Sequence, residues 1–193
     1  MYGILLESVQ QAIRDRYGDA AWRRVLVEAG LSPHSVFEVH GVYTEDVLPM
    51  IADACSVVLS DGERSADEFL AEFGRSFVGY TSRLGYAPVL RATGRHFRDF
   101  LTGIDNLHET MRFSYPRMVS PSFYVSAEDR WGCFLHYRFI LHHVSVVFIP
   151  NLCWSLCRGV FRRAQTTPLE VADQNLSLQN RSLAISGHQV TFL

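Results

Sequence analysis

The hydrophobic period of this chain changes near residue 115, and that change limits the fold more than any other feature. Before it, apolar residues recur every three or four positions: Leu5, Leu6, Val9 and Ile13, then Phe69, Phe73, Phe77 and Tyr80, then Phe97, Phe100, Leu101, Ile104, Leu107 and Met111. Such spacing lines one face of a helix. After it come two short aromatic-rich runs, Ser122 to Ser126 and Cys133 to Tyr137, separated by the polar turn Glu128-Asp129-Arg130-Trp131-Gly132. This pattern reads as a hairpin. Tyr115-Pro116 marks the switch, because the residue before a proline is driven out of the helical region. Helices first and strands later predict an α+β domain, with an N-terminal helical lobe followed by a C-terminal lobe carrying an antiparallel sheet.

Local signals place the elements. The opening helix ends near Tyr17, and Asp19 is the expected cap of a second helix bearing Trp22, Val25, Leu26 and Ala29, with Gly30 as its stop. A further helix is expected from Val47 to Leu59. Ser65 and Glu68 have capping-box spacing and open a helix that closes near Gly85. Pro88 suits the first turn of a short helix. Val144 to Ile149 is a strand or a helix start, Leu152 to Arg163 reads as helical, and Leu169 to Val171, Leu183 to Ile185 and Val190 to Leu193 read as late strands.

A chain of 193 residues suits a single domain over positions 1–193. A formal charge of −2 gives no electrostatic basis for binding nucleic acid. Cys55, Cys133, Cys153 and Cys157 form no zinc spacing. Glu7 interrupts the first apolar run, so no signal peptide is expected, and the reading is a reduced, cytoplasmic setting. Phe139 to Cys157 carries no Asp, Glu, Lys or Arg and approaches a membrane span in length. Pro150 breaks it in the middle, so a buried strand and helix are expected rather than a membrane helix.

His108 lies four residues after Ile104 and projects from the last apolar stripe or its edge. A histidine there is usually a hydrogen-bonded core residue. An imidazole in an apolar cleft is also the usual protein ligand of haem iron. His108-Glu109 is followed by Met111 and Arg112, so the second histidine of a zinc-protease motif is missing. No nucleophile motif or phosphate loop is visible, and independent catalysis is not expected.

The residues around His108 carry a resemblance. Met1-Tyr2-Gly3, Tyr17-Gly18-Asp19, Trp22, Phe73-Gly74, Gly85-Tyr86, Leu101 through His108, Tyr115-Pro116-Arg117-Met118, Pro121-Ser122-Phe123 and Leu135-His136-Tyr137 are colinear over the first 137 residues. In this order and spacing they resemble the haem nitric oxide/oxygen binding (H-NOX) domain, the gas sensor of soluble guanylate cyclases, in the style of the animal subunits, including the atypical ones. The resemblance implies a haem b held between the two lobes, with His108 as its proximal iron ligand. It implies that Pro121 presses on the macrocycle, that Leu5, Phe77 and Thr81 line the distal pocket, and that Tyr137 opens the Tyr-x-Ser-x-Arg motif that holds the propionates. Met111 is a further candidate wall residue.

The chain departs from that motif at Phe139 and Leu141, which stand where the family has Ser and Arg. Leu141 cannot donate the paired charge-assisted bonds of an arginine. Arg138, His142 and His143 are candidate substitutes. The stretch 139–152 reads as unrelated to the family, as an altered exon boundary would produce, and similarity returns near Arg158-Gly159-Val160-Phe161. The implied function is a haem-based gas sensor domain that regulates cyclic GMP synthesis through guanylate cyclase modules or another signalling partner, those catalytic modules being absent from the chain. The alternative is a haem-free interaction domain or a non-functional sensor variant. The distal residues that can be placed are mostly apolar and favour nitric oxide over oxygen.

Overall fold

The computed structural model describes residues 1–60, 63–92, 97–117, 122–126, 133–139, 170–172 and 186–192. They divide between two compact units, one comprising Met1–Leu84 and the other beginning at Gly85.

The first unit holds three helices that pack on one another: α1 (Gly3–Glu28), α2 (Val47–Val58) and α3 (Ala66–Thr81). The expected division of the first two helical segments lies at Gly18, inside α1, where φ 84° and ψ 168° interrupt the helical backbone. That conformation is open to glycine and strained for other residues. Asp19, expected as a cap, instead pairs its carboxylate with Arg14 Nε at 2.8 Å across the break. The helix stops at Gly30 (φ 72°), whose N–H donates to the Val27 carbonyl at 3.0 Å while Leu31 N–H donates to Leu26 O at 2.8 Å. Those two bonds make a Schellman terminus.

The capping box at the start of α3 is formed: Ser65 N–H donates to Glu68 Oε2 at 2.8 Å, and Glu68 N–H donates to Ser65 Oγ at 3.3 Å. The core of this unit is built from the periodic residues: Leu6, Val9 and Ile13 with Trp22, Val25 and Leu26 from α1, Leu48, Ile51 and Cys55 from α2, and Phe69 and Phe73 from α3, all buried. Phe37 closes the Trp22 side with an edge contact at 6.2 Å between ring centroids.

An ion network ties the helices together at the surface. Glu72 accepts from Arg64 at 2.6 Å and from Arg16 at 2.5 Å. Arg64 also donates to the Tyr17 hydroxyl at 3.2 Å and lies over the Phe69 ring at 4.1 Å. Burial opposes ionisation of Glu72, but the hydrogen bonds and charges of Arg64 and Arg16 outweigh it and hold the carboxyl below the ordinary glutamate value. A carboxyl depressed in the folded state stabilises the fold above its unfolded pKa, and that stability is lost as pH falls through the folded value. Glu72→Gln is expected to cost about 1–2 kcal/mol at neutral pH, discounted for the half-open surface around Arg16. Urea unfolding at pH 7 and pH 3 checks it: the variant loses less stability on acidification than the parent. Equal losses in the two proteins would show that the network contributes nothing.

In the second unit the five-residue π-helical turn Ser82–Tyr86, which begins in the first unit, leads into the short helix α4 (Ala87–Ala92), with Pro88 in its first turn as expected. Helix α5 (Phe97–Met111) ends before Tyr115-Pro116 and packs on strand β1 (Ser122–Ser126). Strands β1 and β2 (Cys133–Phe139) form the expected antiparallel hairpin pair, with Phe123 opposite Tyr137. Strand β2 pairs on its other side with β4 (Ser186–Phe192), and β4 pairs with β3 (Glu170–Ala172), giving the antiparallel order β1-β2-β4-β3. The strand expected at Leu183 to Ile185, the segments Val144 to Ile149 and Leu152 to Arg163, and all but the first residue of the apolar stretch Phe139 to Cys157 lie outside the described residues. No helix of the described residues is long and apolar enough to cross a membrane.

Candidate cofactor site

Helix α5 positions His108. Phe100 and Ile104, eight and four residues earlier, are buried, and Leu107 and Met111 are half-buried. His108 shares their side of the helix by the i, i+4 rule and is itself half-buried. Burial lowers the pKa of its imidazole, against the opposing charges of Asp105 and Glu109. The ring is therefore neutral at physiological pH, and a neutral imidazole is the form that ligates a metal. The side chains of Phe97 and Leu101, counted in the same stripe, lie outside the described set.

The three distal-wall candidates fall in the first unit. Leu5 is half-buried on α1, Phe77 is half-buried on α3, and Thr81 is buried one turn after Phe77 on the same face. The Thr81 hydroxyl is engaged with its own helix, 3.0 Å from the Phe77 carbonyl and 3.1 Å from the Val78 carbonyl. This is the back-bonding common for a helical threonine. Its single proton is committed to the backbone.

Tyr137 lies in β2, with Phe123 of β1 and His188 of β4 as its backbone partners. Its side chain, Pro121 and Leu141 are outside the described residues, as are the substitutes His142 and His143.

Sequence reading passed over two residues of the first unit. Glu7 was read only as an interruption of an apolar run, and Tyr80 only as another apolar position of α3. Yet burial first, then a side-chain hydrogen bond and the charge of Glu7, push the Tyr80 phenol up, against the opposing charge of Arg83. The available signal was an acidic residue on an otherwise apolar helix face.

Comparison with known proteins defines the class. Residues 2–139 match the Haem-NO-binding family, and the chain belongs to that family. The match ends at Phe139. Among its relatives are the Drosophila melanogaster soluble guanylate cyclases 89Da, 41% identical over 72% of this chain and 20% of that protein, and 89Db, 44% identical over the same shares. The Caenorhabditis elegans soluble guanylate cyclase gcy-31 is 34% identical over 75% of this chain and 21% of its own length. The chain thus spans about one fifth of these relatives. In structure it resembles an oxygen-binding H-NOX domain related to soluble guanylate cyclases, with a TM-score of 0.72 at 16% identity, covering 100% of this chain and 94% of that one. A Cs H-NOX domain carrying 4-cyano-phenylalanine gives a TM-score of 0.77 at 16% identity, over 100% and 95% of the two chains. The fold is that of an H-NOX domain.

The donor set fits haem. A five-coordinate haem needs one neutral imidazole beside an apolar surface. The α5 stripe offers that combination: a half-buried neutral His108 on the side of Phe100, Ile104, Leu107 and Met111.

Proposed function

We propose that the chain is a haem-based gas sensor domain over residues 1–193, in which His108 ligates the iron of haem b and nitric oxide is the favoured gas. The observation that carries this reading is His108 itself, a half-buried neutral imidazole on an amphipathic helix within a Haem-NO-binding match. In the same reading Leu5, Phe77, Thr81 and Met111 belong to the pocket wall, Pro121 presses on the macrocycle, and Tyr137 holds a propionate. When bound, haem supplies the iron centre that takes a diatomic gas.

The rest of the function belongs to the protein. Helix α5 holds His108 near one end and packs on β1, so a displacement of the imidazole moves a helix against the sheet edge. A ligand that favours one of two such positions shifts their populations by its differential affinity. The relatives named soluble guanylate cyclases are several-fold longer, and the family match here is to the Haem-NO-binding part, so we assign these residues a sensing role and no catalysis. We place the domain in a reduced, cytoplasmic setting, as the cysteine pattern of the sequence suggests.

Gas preference follows from the wall. Bound oxygen carries partial negative charge and gains more than nitric oxide from a hydrogen-bond donor. Leu5 and Phe77 have none, and Thr81 would have to give up its carbonyl bond, worth about 1 kcal/mol, to act as one. The purified chain is expected to show a Soret band, to bind nitric oxide in the ferrous state, and to form no stable oxygen complex in air. Thr81→Val should leave the oxygen result unchanged. A stable oxy spectrum that Thr81→Val removes would reverse the assignment, and a spectrum with no Soret band would favour a haem-free interaction domain.

A further inference from the structure

The register of the sheet divides its residues between two unlike faces. Residues directly opposite in an antiparallel pair share a face, and alternate residues along a strand return to it. Phe123 of β1, Tyr137 of β2 and His188 of β4 therefore form one row across three strands. On the same face, Val125, Leu135 and Val190 make the next row to one side, and Phe139 stands opposite Ser186 on the other. The reverse face carries Tyr124, His136, Arg138, Gln189 and Thr191. Tyr124 is exposed and Val125 is half-buried, so the apolar face is the covered one at β1.

Among the described strand residues, Tyr137, Ser186 and His188 gather the hydroxyl and imidazole groups of the apolar face at one end. Haem divides in the same way, with an apolar macrocycle and two carboxylates along one edge. At this end β2 has Phe139 and Leu141 where the motif has Ser and Arg. The neighbouring strand supplies donors instead. Ser186 is the register partner of Phe139, and His188 is the register partner of Tyr137. Such partners have Cβ atoms about 4.5–5.5 Å apart, so one carboxylate can span them. An imidazole N–H and a serine hydroxyl both donate to a carboxylate.

We propose, on the gas-sensor reading above, that His188 and Ser186 of β4 bind a haem propionate beside Tyr137 and replace, across the strand pair, the donors that β2 lacks at 139 and 141. One imidazole gives a single bond where an arginine fork gives two, so this anchor holds haem less firmly than an arginine would. Arg138 adjoins Tyr137 in the chain but falls on the reverse face, outside the anchor.

Transfer of haem from the loaded full chain to excess apomyoglobin, followed at the Soret band, tests the assignment. His188→Leu should speed release by about tenfold or more, and Ser186→Ala by about threefold. Arg138→Ala should stay near the parent rate. The dimethyl ester of haem, which has no carboxylates, separates an anchor from a packing residue. With the ester, His188→Leu and the parent should release at the same rate. Release of haem from His188→Leu at the parent rate would overturn the assignment. Equal acceleration with haem and with its ester would also overturn it, because His188 would then act only on the sheet. Urea unfolding of the haem-free chain shows whether the leucine variant folds. If it does not, His188→Gln carries the same comparison: it keeps a neutral donor and should speed release of haem by about threefold and of the ester not at all. A parent chain that takes up no haem would overturn the sensor reading and this anchor with it, whereas uptake without a His188 effect overturns the anchor alone.

Discussion

Glycine at position 108 is expected to abolish the Soret band of the purified protein, and added imidazole is expected to restore part of it. The side chain removed is the proposed direct ligand of the iron. Loss of an outer partner of a metal ligand already costs about 10–100-fold in affinity, so loss of the ligand itself should cost more than about a hundredfold. Glycine also leaves a space the size of an imidazole, which free imidazole can enter. The change is not innocent for the helix: glycine inside α5 costs about 1 kcal/mol relative to alanine. Far-ultraviolet circular dichroism separates that cost from the ligand effect, because a folded, colourless variant that regains colour with imidazole isolates the ligand. A His108→Gly protein with a normal five-coordinate ferrous spectrum would show that another residue holds the iron.

What could be read from the sequence divides along the range of the interactions. The capping box at Ser65 and Glu68, the helix stop at Gly30, the break at Gly18 and the end of α5 before Tyr115-Pro116 are each set by residues within four or five positions of one another. The back-bonded hydroxyl of Thr81 belongs with them, since its acceptors at Phe77 and Val78 are four and three residues away. The side of α5 that carries His108 was equally legible, because helical periodicity is a local property.

Interactions between distant segments were not legible. Arg16 and Glu72 are 56 positions apart, and nothing in either neighbourhood selects the other. Asp19 is a local exception: its sequence context suits a cap, but Arg14, five residues earlier, takes its carboxylate across the Gly18 break. The strand at Cys133 was expected, but its second partner, Ser186–Phe192, was not assignable, because strand character carries no address. Glu7 and Tyr80 follow the same rule: each is unremarkable on its own helix and becomes informative only when α1 and α3 pack.

The departure at Phe139 and Leu141 is expected to make haem dissociate readily, and Phe139→Ser with Leu141→Arg is expected to slow that loss. Haem carries two propionates, and an arginine fork gives a carboxylate two parallel charge-assisted bonds. Such a contact contributes about 1.5–3 kcal/mol. Losing it together with the serine should raise the haem dissociation constant by about one to three orders of magnitude. The motif positions 137, 139 and 141 are spaced by two, the period of a strand, so one strand can present all three. The backbone at Tyr137 is well placed to support such a strand, because β2 is paired on both edges, with β1 and with β4. A strand held on both sides loses little further entropy when an arginine near its end takes up a propionate. Transfer of haem to excess apomyoglobin, followed at the Soret band, measures the release rate directly. The double variant should release haem at least about tenfold more slowly than the parent, the lower end of the range set by one such contact. Equal rates would mean that Arg138, His142 or His143 already holds the propionates, and Arg138→Ala in the parent would then speed release if Arg138 is the group responsible.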